Sequence, residues 1–457
     1  MRTLALVPFA VVALTTACAD REVTAPLKAA AGGANFTLSP TPERTFVYVA
    51  NAGSDNVSVI RRSDNTVVTT IPVGDDPRAV AITPNAGRVY VANRSSDNVS
   101  VIRTSDNTVM ATIPVGQDPQ DIAVSPDGAR VYVLNATDGS ISVIRTSDNT
   151  VVTTADVADE ASTMAITPDG SEIFVNNGVT SDAGPPFGIV TTQLTSAIRT
   201  SDFTVRDYVS WFLRSPSDVA ITPDGTRAYV PNNGIFEPRS TLRVKLTADF
   251  SDVTSLTLPI GLFELQGAVS IIPGGAYAYV VKGGSQNPFG GTCSPGGIWI
   301  IPTATNTIET TVPVSCFPNQ VAFTPDGASA YVTNRAPDQT GNVTVISTSQ
   351  KAVVATVPVG TSPAGLAIGF VPTSAQLLDE LEHQLTALGL SSGIEGSLLA
   401  KLTSARTAIQ AGKTRAACGA LQDFVSQVSA QSGKKIGAAD AAALMSLANQ
   451  VRDLIGC

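Results

Sequence analysis

Residues 48–84 read YVANAGSDNVSVIRRSDNTVVTTIPVGDDPRAVAITP, and residues 90–126 read YVANRSSDNVSVIRTSDNTVMATIPVGQDPQDIAVSP. A third, more worn copy starts at Tyr132, so Tyr48, Tyr90 and Tyr132 recur at a spacing of 42 residues. Each unit holds four runs, of the type FVYVAN, NVSVIR, TVVTTIPV and AVAITP, whose apolar residues alternate with a period of two. Such alternation marks half-buried strands. A unit of about forty residues with four short strands is one blade of a β-propeller.

The (Y/F)-V-x-N strand continues at Phe174, Tyr229, Tyr279 and Tyr331, which makes seven units, the later ones lengthened by insertions. The expectation is a mainly β fold: a seven-bladed β-propeller of four-stranded antiparallel blades over residues 46–372. Pro-Asp-Gly recurs at Pro126-Asp127-Gly128, Pro168-Asp169-Gly170, Pro223-Asp224-Gly225 and Pro325-Asp326-Gly327, where Pro presets φ and Gly accepts a positive one. The Ser-Asp-Asn turns at residues 63–65, 105–107 and 147–149 mark the next hairpin of each blade. If AVAITP is the innermost strand, the chain enters blade one at its second strand and supplies the inner strand last, from Gly365 to Phe370. Pairing by Phe36 to Ser39 is the competing closure, and a closed ring leaves no free sheet edge there.

The chain has 457 residues, a formal net charge of −9 and only 15% charged residues, which argues against a nucleic-acid partner. Arg2 followed by the apolar run Leu4 to Leu14 reads as a signal peptide over residues 1–18, too short to span a bilayer. Residues 19–45, small, polar and bearing Pro and Gly, read as a flexible tether. Of the 5 cysteines, Cys293 and Cys316 fall in the propeller and Cys418 and Cys457 in the tail. Two disulfides within those pairs suit an oxidising compartment, with four buried free thiols as the alternative.

Beyond Pro372 the apolar residues take a helical period at Leu377, Leu381 and Leu385, at Leu398, Leu402 and Ile409, at Leu421, Phe424 and Val428, and at Leu444, Val451 and Ile455. A small four-helix domain over residues 373–457 follows, with Ser392 and Glu395 as a capping box and Gly412 and Gly433 as C-terminal caps.

On these residues the repeats resemble the YVTN family of β-propellers of bacterial and archaeal secreted and surface-layer proteins, and residues 331–334 spell YVTN itself. The segment LTTAC resembles a bacterial lipobox, which implies lipidation of Cys18 and membrane attachment through an N-terminal lipid only. Thr15 departs from the usual Leu, and cleavage after Ala19 with secretion is the rival. The run from Ser397 to Cys457 resembles a FIMAH module, a likeness that covers about residues 374–457, with Cys418 and Cys457 at its two usual cysteine positions.

In a four-stranded blade the loops joining strands two and three, and those joining successive blades, leave on one face. The extra length, Gly178 to Leu194, Asn233 to Ser240 and Gly283 to Gly297, all falls in such loops. Phe187, Phe236 and Phe289 there are candidates for binding a protein, glycan or envelope polymer, or for packing the loops on each other. Asn51, Asn93, Asn135, Asn177, Asn232 and Asn334 end their strands toward the same face, as ligand contacts or as turn-forming amides. Arg78, Gln120, Asp121, Asp218, Asn319 and Gln320 start inner strands and are placed at the channel entrance. On the opposite rim Arg61, Arg103, Arg145 and Arg199 stand beside Asp64, Asp106, Asp148 and Asp202, as local ion pairs or as an anion-binding ring.

The chain has 1 His, His383 in the tail, so the propeller has no imidazole base. No phosphate-cradling motif, metal set or cofactor is expected. The leading expectation is therefore a non-enzymatic cell-envelope propeller, extracytoplasmic and lipid-anchored, that binds through its insertion-bearing face. The alternative is a lactonase-like hydrolase or lyase using channel carboxylates with a divalent metal.

Overall fold

The computed structural model describes residues 41–157, 161–182, 189–209, 214–234, 240–259, 266–284, 293–336 and 338–457. The repeat unit folds into a four-stranded antiparallel meander, and seven such sheets form the propeller. Blade one pairs Pro363–Phe370, Thr45–Asn51, Asn56–Arg61 and Thr66–Pro72 in that order. The last strand of the propeller thus seals against the first, with Tyr48 opposite Ala367 and Val47 opposite Ile368. Closure by Gly365 to Phe370 is observed, while the competing Phe36 to Ser39 lies outside the described residues.

The inner strands touch one another around a complete circle, each packing on its two neighbours. The YVAN strands are buried on both faces because adjacent blades stack on them. Tyr48, Val57 and Val59 of blade one join Val80, Val89 and Val91 of blade two in one apolar cluster. The outermost strands face solvent, with Val67, Val68, Val151 and Val152 exposed.

Four of the seven seams carry a polar latch, three of them to the Asn of a Ser-Asp-Asn turn. The Tyr48 hydroxyl donates to Asn107 Oδ1 of the next blade at 3.0 Å, Tyr90 to Asn149 at 2.8 Å, Tyr229 to Asn306 at 2.7 Å and Tyr331 to Asn65 at 2.8 Å. These asparagines hold φ between 51° and 56°, a left-handed backbone that Asn tolerates. Where Tyr becomes Phe174, the partner becomes Phe250, and the two rings stack at 5.4 Å. One hydrogen bond has been exchanged for an aromatic contact of similar size.

Two expectations need adjustment. Blade four's insertion is partly sheet, because Glu172–Asp182 and Ile189–Arg199 pair as far as Asp182 opposite Ile189. Blade five's inner strand is broken into Arg214–Pro216 and Ala220–Ile221.

The tail is four helices, α1 Ser374–Ala387, α2 Ser392–Gln410, α3 Thr414–Gln431 and α4 Ala438–Ile455. Leu381, Leu402, Leu421, Phe424, Leu444 and Val451 meet in its core. The capping box sits on α1, where Thr373 and Gln376 bond reciprocally. The one expected at Ser392 does not form, because Ser391 takes the N-cap position and its side chain makes no cap bond. Gly412 and Gly433 do hold φ of 67° and 70° past their helices.

Cys293–Cys316 and Cys418–Cys457 are both disulfides, with Cα separations of 6.0 and 5.7 Å. They indicate an extracytoplasmic, oxidising setting. No helix among the described residues is long and apolar enough to cross a membrane.

Candidate functional site

Every inner strand begins at a between-blade loop, on the face that carries the insertions. In blades one, two, three, six and seven the pairing of the inner strand slips near its start, as between Pro77 and Ala79 or between Pro119 and Asp121. Such bulges bend the strand and re-aim its side chains. The result is a vestibule of about 340 Å³ at the channel mouth, to which each inner strand contributes two successive residues. All six residues expected at the entrance, Arg78, Gln120, Asp121, Asp218, Asn319 and Gln320, line it.

The second residue of each pair occupies one repeat position: Ala79, Asp121, Thr163, Asp218, Ala268, Gln320 and Gly365. At three of the seven it reaches across the seam. Asp121 accepts from its neighbour Ile122 N at 2.8 Å and from Met164 N of the next blade at 2.7 Å. Asp218 repeats this with Val219 N and Val269 N, both at 2.8 Å. Gln320 Oε1 accepts from Leu366 N at 2.6 Å. Where the residue is Gly365, the backbones close up instead: a Cβ there would stand 2.5 Å from Arg78 O. Sequence reading placed these residues on the channel but missed the seam bonds. The available signal was that Asp121, Asp218 and Gln320 share one repeat position and all bear an acceptor.

Asp121 and Asp218 line the vestibule wall and are half-buried there. That burial pushes Asp121 up to about 6, against the two N–H donors that favour its charge. Burial likewise pushes Asp218 up to about 7, and the Asp121 charge adds to the rise. The two carboxyls therefore sense one another across the lumen. A recess of about 230 Å³ adjoins the mouth at the seam of blades seven and one, with Arg78 and Arg335 in its wall.

The strand-end asparagines lie elsewhere. Asn51, Asn93, Asn135, Asn177, Asn232 and Asn334 are all 0–2% exposed. Asn51 Nδ2 donates to Asn56 Oδ1 at 2.8 Å and to Ser58 Oγ at 2.9 Å, and Asn93 repeats the pattern with Asn98 and Ser100. They pin strand ends, and an incoming ligand meets the turn before the amide. Phe187, Phe236 and Phe289 lie outside the described residues, as does Cys18. On the other rim Arg61, Arg103, Arg145 and Arg199 stand 2.5, 3.6, 3.3 and 3.1 Å from Asp64, Asp106, Asp148 and Asp202, the local pairs rather than an open ring of cations. The Arg61 guanidinium holds the exposed Asp64 carboxyl down at about 2.

The donor set does not fit the divalent metal of the alternative reading. Among the described residues no three His, Cys, Asp or Glu side chains converge, and both oxygens of each channel Asp already accept an N–H.

Residues 15–113 match a family model described as a lactonase, 7-bladed beta-propeller, and residues 375–453 match the FIMAH domain. A segment of 47 residues is 45% identical to the uncharacterized protein YwhL of Bacillus subtilis, spanning 10% of that protein's length. Among solved structures, a candidate 6-phosphogluconolactonase from Bacteroides uniformis superposes with a TM-score of 0.55 at 14% identity, over 72% of this chain and 100% of that one. Another from Bacteroides fragilis gives 0.54 at 12%, over 73% and 100%. Hydrazine synthase of Kuenenia stuttgartiensis gives 0.53 at 19%, over 64% and 90%. At these identities the likeness concerns the fold. The lactonase-type match over residues 15–113 runs against the expectation that the chain is not an enzyme and points to hydrolase activity instead.

Proposed function

We propose that this chain is an extracytoplasmic hydrolase that opens lactone-type cyclic esters at the channel mouth, with Asp121 and Asp218 as its acid–base pair. The observation that supports this reading is the pair of enclosed carboxyls in one vestibule, with pKa values pushed to about 6 and about 7. Two titratable groups whose environments separate their pKa values near neutrality can divide the roles of base and acid. Asp121, ionised first, takes a proton from a water that adds to the ester carbonyl. Asp218, protonated longer, gives its proton to the ring oxygen as the acyl C–O bond breaks, and the product is the open hydroxy acid. The backbone N–H groups that hold both carboxylates fix their orientation without a flexible side-chain partner. Arg78 and Arg335 in the adjoining recess offer positive charge to the carboxylate that forms.

The vestibule opens on the face where the insertions of blades four to six emerge, so substrate selection is assigned to that face, with Phe187, Phe236 and Phe289 as contributors. A lipid on Cys18 would hold the enzyme at a bacterial membrane, and residues 19–45 would set its reach.

Purified mature protein assayed against a panel of γ- and δ-lactones tests the reading. Hydrolysis above background, reduced roughly 10²-fold or more by Asp121→Asn and by Asp218→Asn in folded protein, is the expected result. An inert wild type, or variants as active as wild type, overturns it.

A further inference from the structure

The helical domain meets the propeller on the rim opposite the vestibule. Arg88 of blade two binds Asp453 of α4 at 3.3 Å. Behind that contact lies a second cleft, about 490 Å³, between the turns of blades two and three and the end of α4. Its walls carry three guanidinium groups, Arg88, Arg103 and Arg452.

Two of the three are incompletely used. The Nε atoms of Arg103 and Arg452 are both shielded from water and make no hydrogen bond. Arg103 keeps its ion pair with Asp106 at 3.6 Å, a separation too long for a hydrogen bond. Arg452 donates from Nη1 to Asn449 at 3.1 Å, and among the described residues no carboxylate pairs with it. The shielded Nε atoms are closed to a ligand as they are to water; what each Arg presents to the cleft is the rest of its guanidinium, whose charge and paired N–H groups match an oxyanion best. Asn85, Ser147 and Asn449 add neutral polar groups, and Asp453 is the one acidic side chain in the wall.

We infer that this interdomain cleft binds a small oxyanion, a carboxylate or phosphate group, clamped between Arg103 of the propeller and Arg452 of the last helix. The site is independent of the channel chemistry. Its volume admits an acidic sugar as well as inorganic phosphate, and a ligand there would tie the helical domain to the ring.

Calorimetric titration of the full mature chain with inorganic phosphate and with D-glucuronate, using D-glucose as the neutral control, tests the assignment. Saturable binding of at least one anion is expected, weakened roughly tenfold or more by Arg452→Gln and by Arg103→Gln and unchanged by Asp121→Asn. Arg452→Lys, which keeps the charge and loses the fork, should fall between. Phosphate binding alone identifies a phosphate group as the ligand, and glucuronate binding alone a carboxylate. Heats equal to those of glucose, or unaltered binding in both glutamine variants with wild-type melting midpoints, overturn the inference.

Discussion

Asp121 and Asp218 each do two things at once: they close a seam, and their burial raises their affinity for a proton. An unfolded Asp titrates near pH 4, whereas the folded groups titrate at about 6 and about 7. Between about pH 4 and 7 these two groups therefore bind more protons in the folded chain than in the unfolded one, and the share of stability due to them falls as pH rises through that window. At about 1.4 kcal/mol per pKa unit, Asp121 contributes a change of about 2 kcal/mol between about pH 4.5 and 7.5. Urea titrations at pH 4.5 and 7.5 should show this loss in wild type and a smaller one in Asp121→Asn. Asparagine does not titrate, although it can accept only one of the two N–H bonds. If the pair performs the proposed lactone hydrolysis, it sets the pH dependence of turnover: kcat/KM should rise as Asp121 ionises near pH 6 and fall as Asp218 ionises near pH 7. A rate that climbs monotonically to pH 9 would remove Asp218 as the acid.

Where one blade meets the next, glycine decides how closely the elements approach. A Cβ on Gly360 would stand 2.4 Å from Ser54 Oγ and 2.6 Å from Asn51 at the closing seam of blades seven and one. Gly360→Ala should destabilise the propeller by about 1–3 kcal/mol in chemical denaturation, the range for overpacking a close contact. Gly419, inside α3, has nothing within 4 Å of its Cβ position. There alanine should stabilise by about 0.5–1 kcal/mol through helix propensity alone. The tyrosine latch predicts a smaller effect: Tyr90→Phe removes one bond to Asn149 and should cost about 1 kcal/mol. Phe174 stacked on Phe250 shows that the seam accepts a phenyl ring when its partner changes with it.

At the scale of the molecule, ring and helix bundle keep separate cores, and each disulfide lies within one of them. Cys418→Ser with Cys457→Ser opens a loop of 39 residues and should lower the bundle's stability by about 3–4 kcal/mol, leaving the propeller's calorimetric transition in place. The blade number and the channel residues were legible in the chain, because a repeat writes each position several times and strand alternation marks the inside of a sheet; for the strand that seals the ring the chain left two candidates, and the structure shows Gly365 to Phe370. The bonds at Asp121, Asp218 and Gln320 were not legible, since each joins residues about 43 to 51 positions apart whose meeting depends on the curvature of the closed ring. The burial of the strand-end asparagines escaped for the same reason: the neighbouring blade that covers them is set by packing and not by local pattern. Periodicity determined the architecture, whereas the charge state of the channel pair was decided by tertiary enclosure, because desolvation depends on everything around a carboxyl and no local sequence encodes it.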